Sequence, residues 1–255
     1  MKKLALAMTL ALLAGSVYAK DAGVIRFGLD PSYAPFESKA PDGKLVGFDI
    51  DIGNAICARL QVRCVWVENS WDGIIPGLKA KKFDAILSSM SVTEKRLQQI
   101  AFSDKIYHTP TRLVARKGAA LGTPESLKGK RIGVEQGSTQ ETYARKYWEP
   151  NNVTVVTYQN QDLVYQDLQA GRLDAALQDS VQADLSFLKT ARGRDYTFVG
   201  AALHDTDTLG VGAAIGLRKE DQALRQQLNK AIYDIHKDGT YLKIQKKYFD
   251  FDIYN

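Results

Sequence analysis

Two segments of this chain, residues 78–89 and 168–179, align without a gap as LKAKKFDAILSS over LQAGRLDAALQD. Each passes from a helical end through a turn into a short apolar stretch, 83–87 and 173–177, with the length and flanks of a buried strand. A plan used twice implies two lobes of similar build. The pattern Leu-x-Ala-x-x-apolar-Asp-Ala is also that of a common helix-to-strand joint, so the echo alone leaves a single lobe open. Its first copy ends in serines and its second in a carboxylate, Asp179.

Beyond the first copy the chain reads Ser88-Ser89-Met90-Ser91-Val92-Thr93-Glu94-Lys95-Arg96. The spacing Ser91-x-x-Glu94 is that of a capping box and predicts a helix starting at Ser91. Strand end, hydroxyl-rich turn and helix start would bring backbone N–H groups, three hydroxyls and the forked guanidinium of Arg96 together. That set suits a carboxylate.

The remaining elements alternate as an α/β protein should. Val24–Leu29 reads as the first strand, followed by a loop with Pro31 and Pro35, a turn at Pro41-Asp42-Gly43, and a helix behind Asp49 and Asp51. A strand over 62–67, then Trp71 and a short helix lead into the first echo copy. After 106–116, a β-prone run broken by Pro110, the plan repeats: strand Arg131–Glu135, a helix opened by the box Ser138-x-x-Glu141, strand 153–157, a helix through Leu168, and strand 173–177. A glycine-containing strand over 208–217 would return to the first lobe, with helices through Ile235 and to Tyr248 closing the chain. The expected architecture is two mostly parallel sheets flanked by helices, joined by crossings near 107–111 and 207–210, with a ligand cleft between them at the C-terminal strand ends.

Lys2, Lys3, the apolar run 4–13 and Val17-Tyr18-Ala19 form the three regions of a secretory leader cleaved after Ala19, making Lys20 the mature start. Its loss removes two lysines and lowers the formal charge from +5 to +3. Ser16 stands where a lipoprotein box needs cysteine, and no later run suits a membrane span, so a soluble exported protein is expected. Basic residues are scattered, which argues against nucleic acid as a partner. In an exported chain Cys57 and Cys64 are expected to form a structural disulfide; the alternative is that Cys57 is simply a small buried helix residue. His108, His204 and His236 lack metal-ligand spacing, and no cofactor or metal is expected.

Phe48-Asp49-Ile50-Asp51, Ile86-Leu87-Ser88-Ser89-Met90-Ser91, Ala101-Phe102-Ser103, Leu127-Lys128-Gly129-Lys130-Arg131-Ile132-Gly133-Val134, Gln136-Gly137-Ser138-Thr139 and the terminal Lys246-Lys247-Tyr248-Phe249-Asp250-Phe251-Asp252 together resemble the family 3 periplasmic solute-binding proteins. Within that family the resemblance is to the histidine-binding and lysine/arginine/ornithine-binding proteins of polar amino acid ABC transporters. It covers essentially the whole mature chain. It implies the two-lobed periplasmic-binding-protein fold, with a leader over 1–19, a first lobe over 20–108, a second over 109–207 and a return to the first over 208–255. It also implies a periplasmic monomer that is not an enzyme, binds basic L-amino acids and docks transiently on an inner-membrane ABC permease.

Carried over residue by residue, the resemblance gives Arg96 the ligand α-carboxylate, helped by Ser91 and Thr139, with Ser138 among the ligand-binding residues. Asp179 and Ser89 would accept from the α-ammonium. Asp30 would pair with the distal cation, Ser88 and Gln140 would add polar contacts, and Tyr33 would cover the ligand stem, with Trp71 completing an aromatic sandwich. Glu135 departs from the close relatives, which carry leucine. Either it lines the cleft and favours a strongly basic ligand, arginine over histidine, or it turns away to pair with a lysine. Taken singly these residues have plainer readings: a turn former for Asp30, core for Trp71, a solvated helix residue for Arg96, a helix cap for Asp179. The same scaffold also carries cyclohexadienyl dehydratases, for which Glu135 would be the candidate general acid, and a sensory module is a third possibility.

Overall fold

The computed structural model describes residues 23–254; the leader assigned to 1–19 and the start at Lys20 lie outside the described residues. The first sheet is built on β1 (Val24–Leu29), whose Phe27 and Leu29 are fully buried. It runs parallel to β5 (Arg63–Glu68) on one side and β6 (Ala85–Ile86) on the other. β13 (Ala213–Leu217) then lies antiparallel between β6 and β7 (Ala101–Tyr107), giving the order β5-β1-β6-β13-β7.

The second sheet repeats this plan. β10 (Thr154–Tyr158), β9 (Arg131–Glu135) and β11 (Ala175–Asp179) are parallel; β8 (Thr111–Arg116) is antiparallel to β11 and to β12 (Tyr196–Leu203), in the order β10-β9-β11-β8-β12. In both sheets four strands of five point one way and the fourth in order is reversed. The reversed strand is in each case the one entering from the other lobe: β8 follows the crossing at 108–110, and β13 follows the crossing at 204–212. Each sheet is thus mostly parallel in strand direction, as expected, with one reversed strand among its five. The expected strand over 208–217 shortens to β13, because 208–212 belong to the crossing.

Helices α1 (Phe48–Leu60), α2 (Ile74–Lys79), α7 (Gln222–Lys237) and α8 (Thr240–Tyr248) flank the first sheet. α4 (Thr139–Tyr147), α5 (Gln161–Gln169) and α6 (Ser180–Ala183) flank the second. A three-stranded ribbon of β2 (Ser32–Tyr33), β3 (Glu37–Lys39) and β4 (Leu45–Val46) carries the turn at 40–43. The first lobe buries Phe27, Phe36, Phe48, Ile52 and Ile215 together. The second has a core on each face of its sheet, with Leu113 and Leu177 on one and Val114 and Ala176 on the other, as alternation along a strand requires. Cys57 of α1 and Cys64 of β5 are disulfide-bonded.

The sequence echo has a physical basis. Asp84 takes the backbone N–H of Arg26 at 2.9 Å and gives its own N–H to that residue's carbonyl at 2.8 Å. Asp174 does the same with Arg131, at 2.8 and 2.9 Å. Each aspartate locks the start of its strand to the neighbouring parallel strand, and both strands begin at the aligned alanines, Ala85 and Ala175, two residues later than expected.

The helix expected from Ser91 also starts later. α3 spans Glu94–Leu97, and its cap is Thr93, whose hydroxyl accepts from the Arg96 N–H at 3.2 Å. Ser91 is instead held in an isolated bridge to Ala213. At α4 the box is partly as expected: Ser138 Oγ accepts from Glu141 N–H at 3.0 Å, but the Glu141 carboxylate accepts from Gly137 N–H at 2.6 Å, one residue before the cap.

Candidate functional site

The parallel strands of both sheets deliver polar residues to a shared cleft. Asp30 follows β1, Ser88, Ser89 and Ser91 follow β6, Glu135 ends β9 and Asp179 ends β11. α4 adds Thr139 and Gln140 with its cap Ser138, while Tyr33, Trp71 and Arg96 come from the first-sheet side. All twelve residues singled out in the sequence therefore border one cavity. Ser32, Glu37, His108, Thr109, Leu209, Gly212 and Ala213 also line it and were not singled out. Five of these sit on or beside the crossings, whose position was readable, while Glu37 gives no local signal at all.

Arg96 is the cationic centre. Its guanidinium is buried, 8% exposed, gives Nη1–H to the Ser91 carbonyl at 2.9 Å and Nη2–H to the Gly137 carbonyl at 3.3 Å, and lies 5.2 Å from the centre of the Trp71 ring. Among the described residues no carboxylate forms an ion pair with it. Burial without a counter-charge pulls its pKa down to about 10. A buried guanidinium with spare donors and no anion is a receptor for one. Trp71 thus packs against the protein's own guanidinium on one side. Gly137 sits at φ 76°, the left-handed region that favours glycine.

The opposite charge lines the rest of the cleft. Asp30 Oδ1 accepts from Ser32 N–H at 3.0 Å and Ser32 Oγ–H at 2.5 Å, and Oδ2 from Trp71 N–H at 2.9 Å. Asp179 Oδ1 caps α6 through the N–H groups of Val181 and Gln182, both at 2.9 Å, while Oδ2 accepts from Thr109 Oγ. Burial still pushes the Asp179 carboxyl up to about 6. The plain readings of these two residues as turn former and cap are correct, and each carboxylate also faces the cavity. Glu135 lines the cleft as well, and no described lysine pairs with it. Among its neighbours, Gln140 Nε2–H reaches Thr111 Oγ at 3.4 Å and Thr139 Oγ–H reaches Gln140 Oε1 at 3.1 Å.

The cleft is shut. Besides the Arg96–Gly137 bond, Ser186 Oγ donates to the Ala34 carbonyl, and Val181 and Leu185 pack against the first lobe's core. Among the described residues no group of three or more His, Cys, Asp or Glu could hold a metal, and no helix is long and apolar enough to cross a membrane.

Residues 25–251 match the family described as bacterial extracellular solute-binding proteins, family 3. The chain is 54% identical over 258 residues to the histidine-binding periplasmic protein of Salmonella typhimurium, covering 100% of this chain and 99% of that protein. It is 53% identical over 258 residues to the lysine/arginine/ornithine-binding periplasmic protein of Escherichia coli, with the same coverage. Among solved structures it resembles a Salmonella typhimurium periplasmic binding protein of high arginine specificity, with a TM-score of 0.83 at 36% identity over 89% of this chain and 100% of the other.

Proposed function

This chain belongs to the bacterial extracellular solute-binding proteins of family 3, and from that premise we propose that it is the periplasmic substrate-binding component of an ABC importer for basic L-amino acids. The observation that carries the ligand class is the charge layout of the closed cleft: one buried, unpaired guanidinium faced by several carboxyl groups. A zwitterion with a cationic side chain complements it at every point. Its α-carboxylate meets Arg96, with Ser91, Ser138 and Thr139 beside it. Its α-ammonium meets Asp179 and Ser89, and its distal cation meets Asp30, with Ser88 and Gln140 completing the polar wall. Tyr33 and Trp71 give the stem an aromatic surface.

Closure follows from the same layout. Arg96 and Asp30 belong to the first sheet's side, Thr139 and Asp179 to the second, so a ligand touching all four stabilises the shut form over an open one. The two crossings are the segments about which the lobes of 20–108 with 208–255, and of 109–207, would part. The protein acts as a monomer that presents the closed form to a membrane permease complex, after removal of the leader at 1–19.

The enzymatic alternative on this scaffold has less support, since the curated relatives are binding proteins. Incubation with prephenate or arogenate should give no aromatic product. The proposal is tested by a thermal-shift screen of the common amino acids, since a ligand of the native state raises the melting point by mass action. Arginine, lysine, ornithine or histidine should raise it, and no response to any of them would refute the reading.

A further inference from the structure

Glu135 differs from the other acids of the cleft in having no internal support. Asp30 and Asp179 each accept three hydrogen bonds from the protein. The Glu135 carboxyl ends β9 with 8% exposure, and among the described residues it receives neither a hydrogen bond nor an ion pair. The titratable groups turned toward it are Asp30 and Asp72 from across the cleft, Tyr33 from β2 and Tyr165 from α5. Its register partner on β10, Tyr158, is already engaged with Asp167 at 2.7 Å. None of these is a cation, and Arg96, which gives its N–H groups to the Ser91 and Gly137 carbonyls, forms no ion pair with Glu135.

We propose that Glu135 is a specificity-determining residue that exchanges its proton for the permanently charged side-chain cation of the ligand. The inference rests on the basic amino acid reading above and goes beyond it. Burial, and then the charges of Asp30 and Asp72, push the carboxyl up to about 8, so near neutral pH the empty site holds a neutral acid. A guanidinium or alkylammonium placed between Asp30 and Glu135 reverses this, because the ionised carboxylate gains the partner it lacked. The proton leaves to solvent as the cation arrives.

Histidine behaves differently at the same place. Its imidazole titrates near 6.5, so around neutrality much of it enters uncharged. The proton that leaves Glu135 can then settle on the ring, forming imidazolium and carboxylate with little net release. Arginine, charged throughout, cannot take that proton. Rising pH therefore strengthens arginine binding as Glu135 ionises, while histidine gains far less.

Calorimetry separates these cases. L-arginine and L-histidine are titrated at pH 7 into the wild-type protein and E135Q in phosphate and in Tris, whose different ionisation heats report the protons exchanged. The wild type should release close to one proton per arginine and a much smaller number per histidine. Its arginine affinity should rise about 50-fold from pH 6 to pH 8, because release of one proton from a carboxyl at about 8 makes affinity climb nearly tenfold per pH unit below that value. E135Q should lose that release and flatten the pH profile, with arginine bound at least about tenfold more weakly at pH 8, where the carboxylate's charge is lost. Tight arginine binding by the wild type without proton release overturns the proposal and leaves the transport reading standing, and so does release undiminished in E135Q. Failure of the wild type to bind any cationic amino acid overturns both.

Discussion

Glu37 and Asp49 lie side by side at the base of the cleft, both cut off from solvent, and each is tied to Ser89. Ser88 Oγ donates to Glu37 Oε1 at 2.9 Å, Ser89 Oγ to Oε2 at 3.3 Å, and Asp49 Oδ2 accepts from Ser89 N–H at 2.8 Å and from the Tyr107 hydroxyl at 3.2 Å. The two serines at the mouth of the first sheet are thus fixed from below by an acid pair, and Ser89 is held at φ 51°. Burial, then the charge on Asp49, keeps Glu37 protonated well above the ordinary range.

Replacing Glu37 tests that arrangement. E37A leaves the buried Ser88 hydroxyl and the half-buried Ser89 hydroxyl without their acceptor and should destabilise by about 1–3 kcal/mol in urea unfolding. E37Q should fold nearly as well as wild type and show a different pH dependence. A carboxyl raised in the folded state contributes stability below its unfolded pKa and loses it as pH rises through the folded value. Wild-type stability should therefore decline from about pH 4.5 upward, and E37Q should decline less.

R96A removes the proposed anion receptor. Binding of arginine, measured by calorimetry, should fall below detection. The unliganded variant should keep its far-UV spectrum and melt within a few degrees of wild type, because the lost guanidinium was a buried charge without a carboxylate partner. Near-normal affinity in R96A would contradict the assignment.

Asp179 has a pH signature of its own. Its carboxyl stands at about 6 because of burial, and the proposed contact with the ligand ammonium would need it ionised. Affinity for lysine or arginine should weaken as pH falls below 6, approaching tenfold per pH unit if ionisation is obligatory. D179N retains an oxygen able to cap α6, so its loss of affinity, about 100-fold for a charged hydrogen bond, should come without loss of fold.

The Cys57–Cys64 bond lies on the outer side of the first lobe's core, between α1 and β5, and neither cysteine lines the cleft. Reduction, or the double serine variant, should lower stability by about 2–3 kcal/mol in the loop-entropy view. Ligand affinity at low denaturant should be unchanged.

How far the sequence speaks depends on whether a feature is local. The aspartate echo was visible because Asp84 and Asp174 each solve the same joint, with the same two backbone bonds, using a residue fixed in spacing from its strand. Helix starts were misread where two hydroxyls compete: Ser91 satisfies the box, yet the bridge to Ala213 draws it into extended backbone and Thr93 takes the cap. Glu37 was illegible because its burial comes from the packing of β3 against α1 and the loop after β6, which no nearby pattern announces. The cleft acids stood out because strand ends collect them, whereas their division into supported and unsupported carboxyls needed the hydrogen bonds themselves.

The placement of β13 bears on how the chain matures. It is wedged between β6 and β7, and β7 touches the first sheet only through it. A ribosome delivers residues 111–203, the whole of the second sheet, before residues 213–217 exist. The later half of the molecule can therefore finish assembling while the earlier half waits with a missing rib. A nascent chain halted ahead of Ala213 would carry one completed half and one still open along its middle.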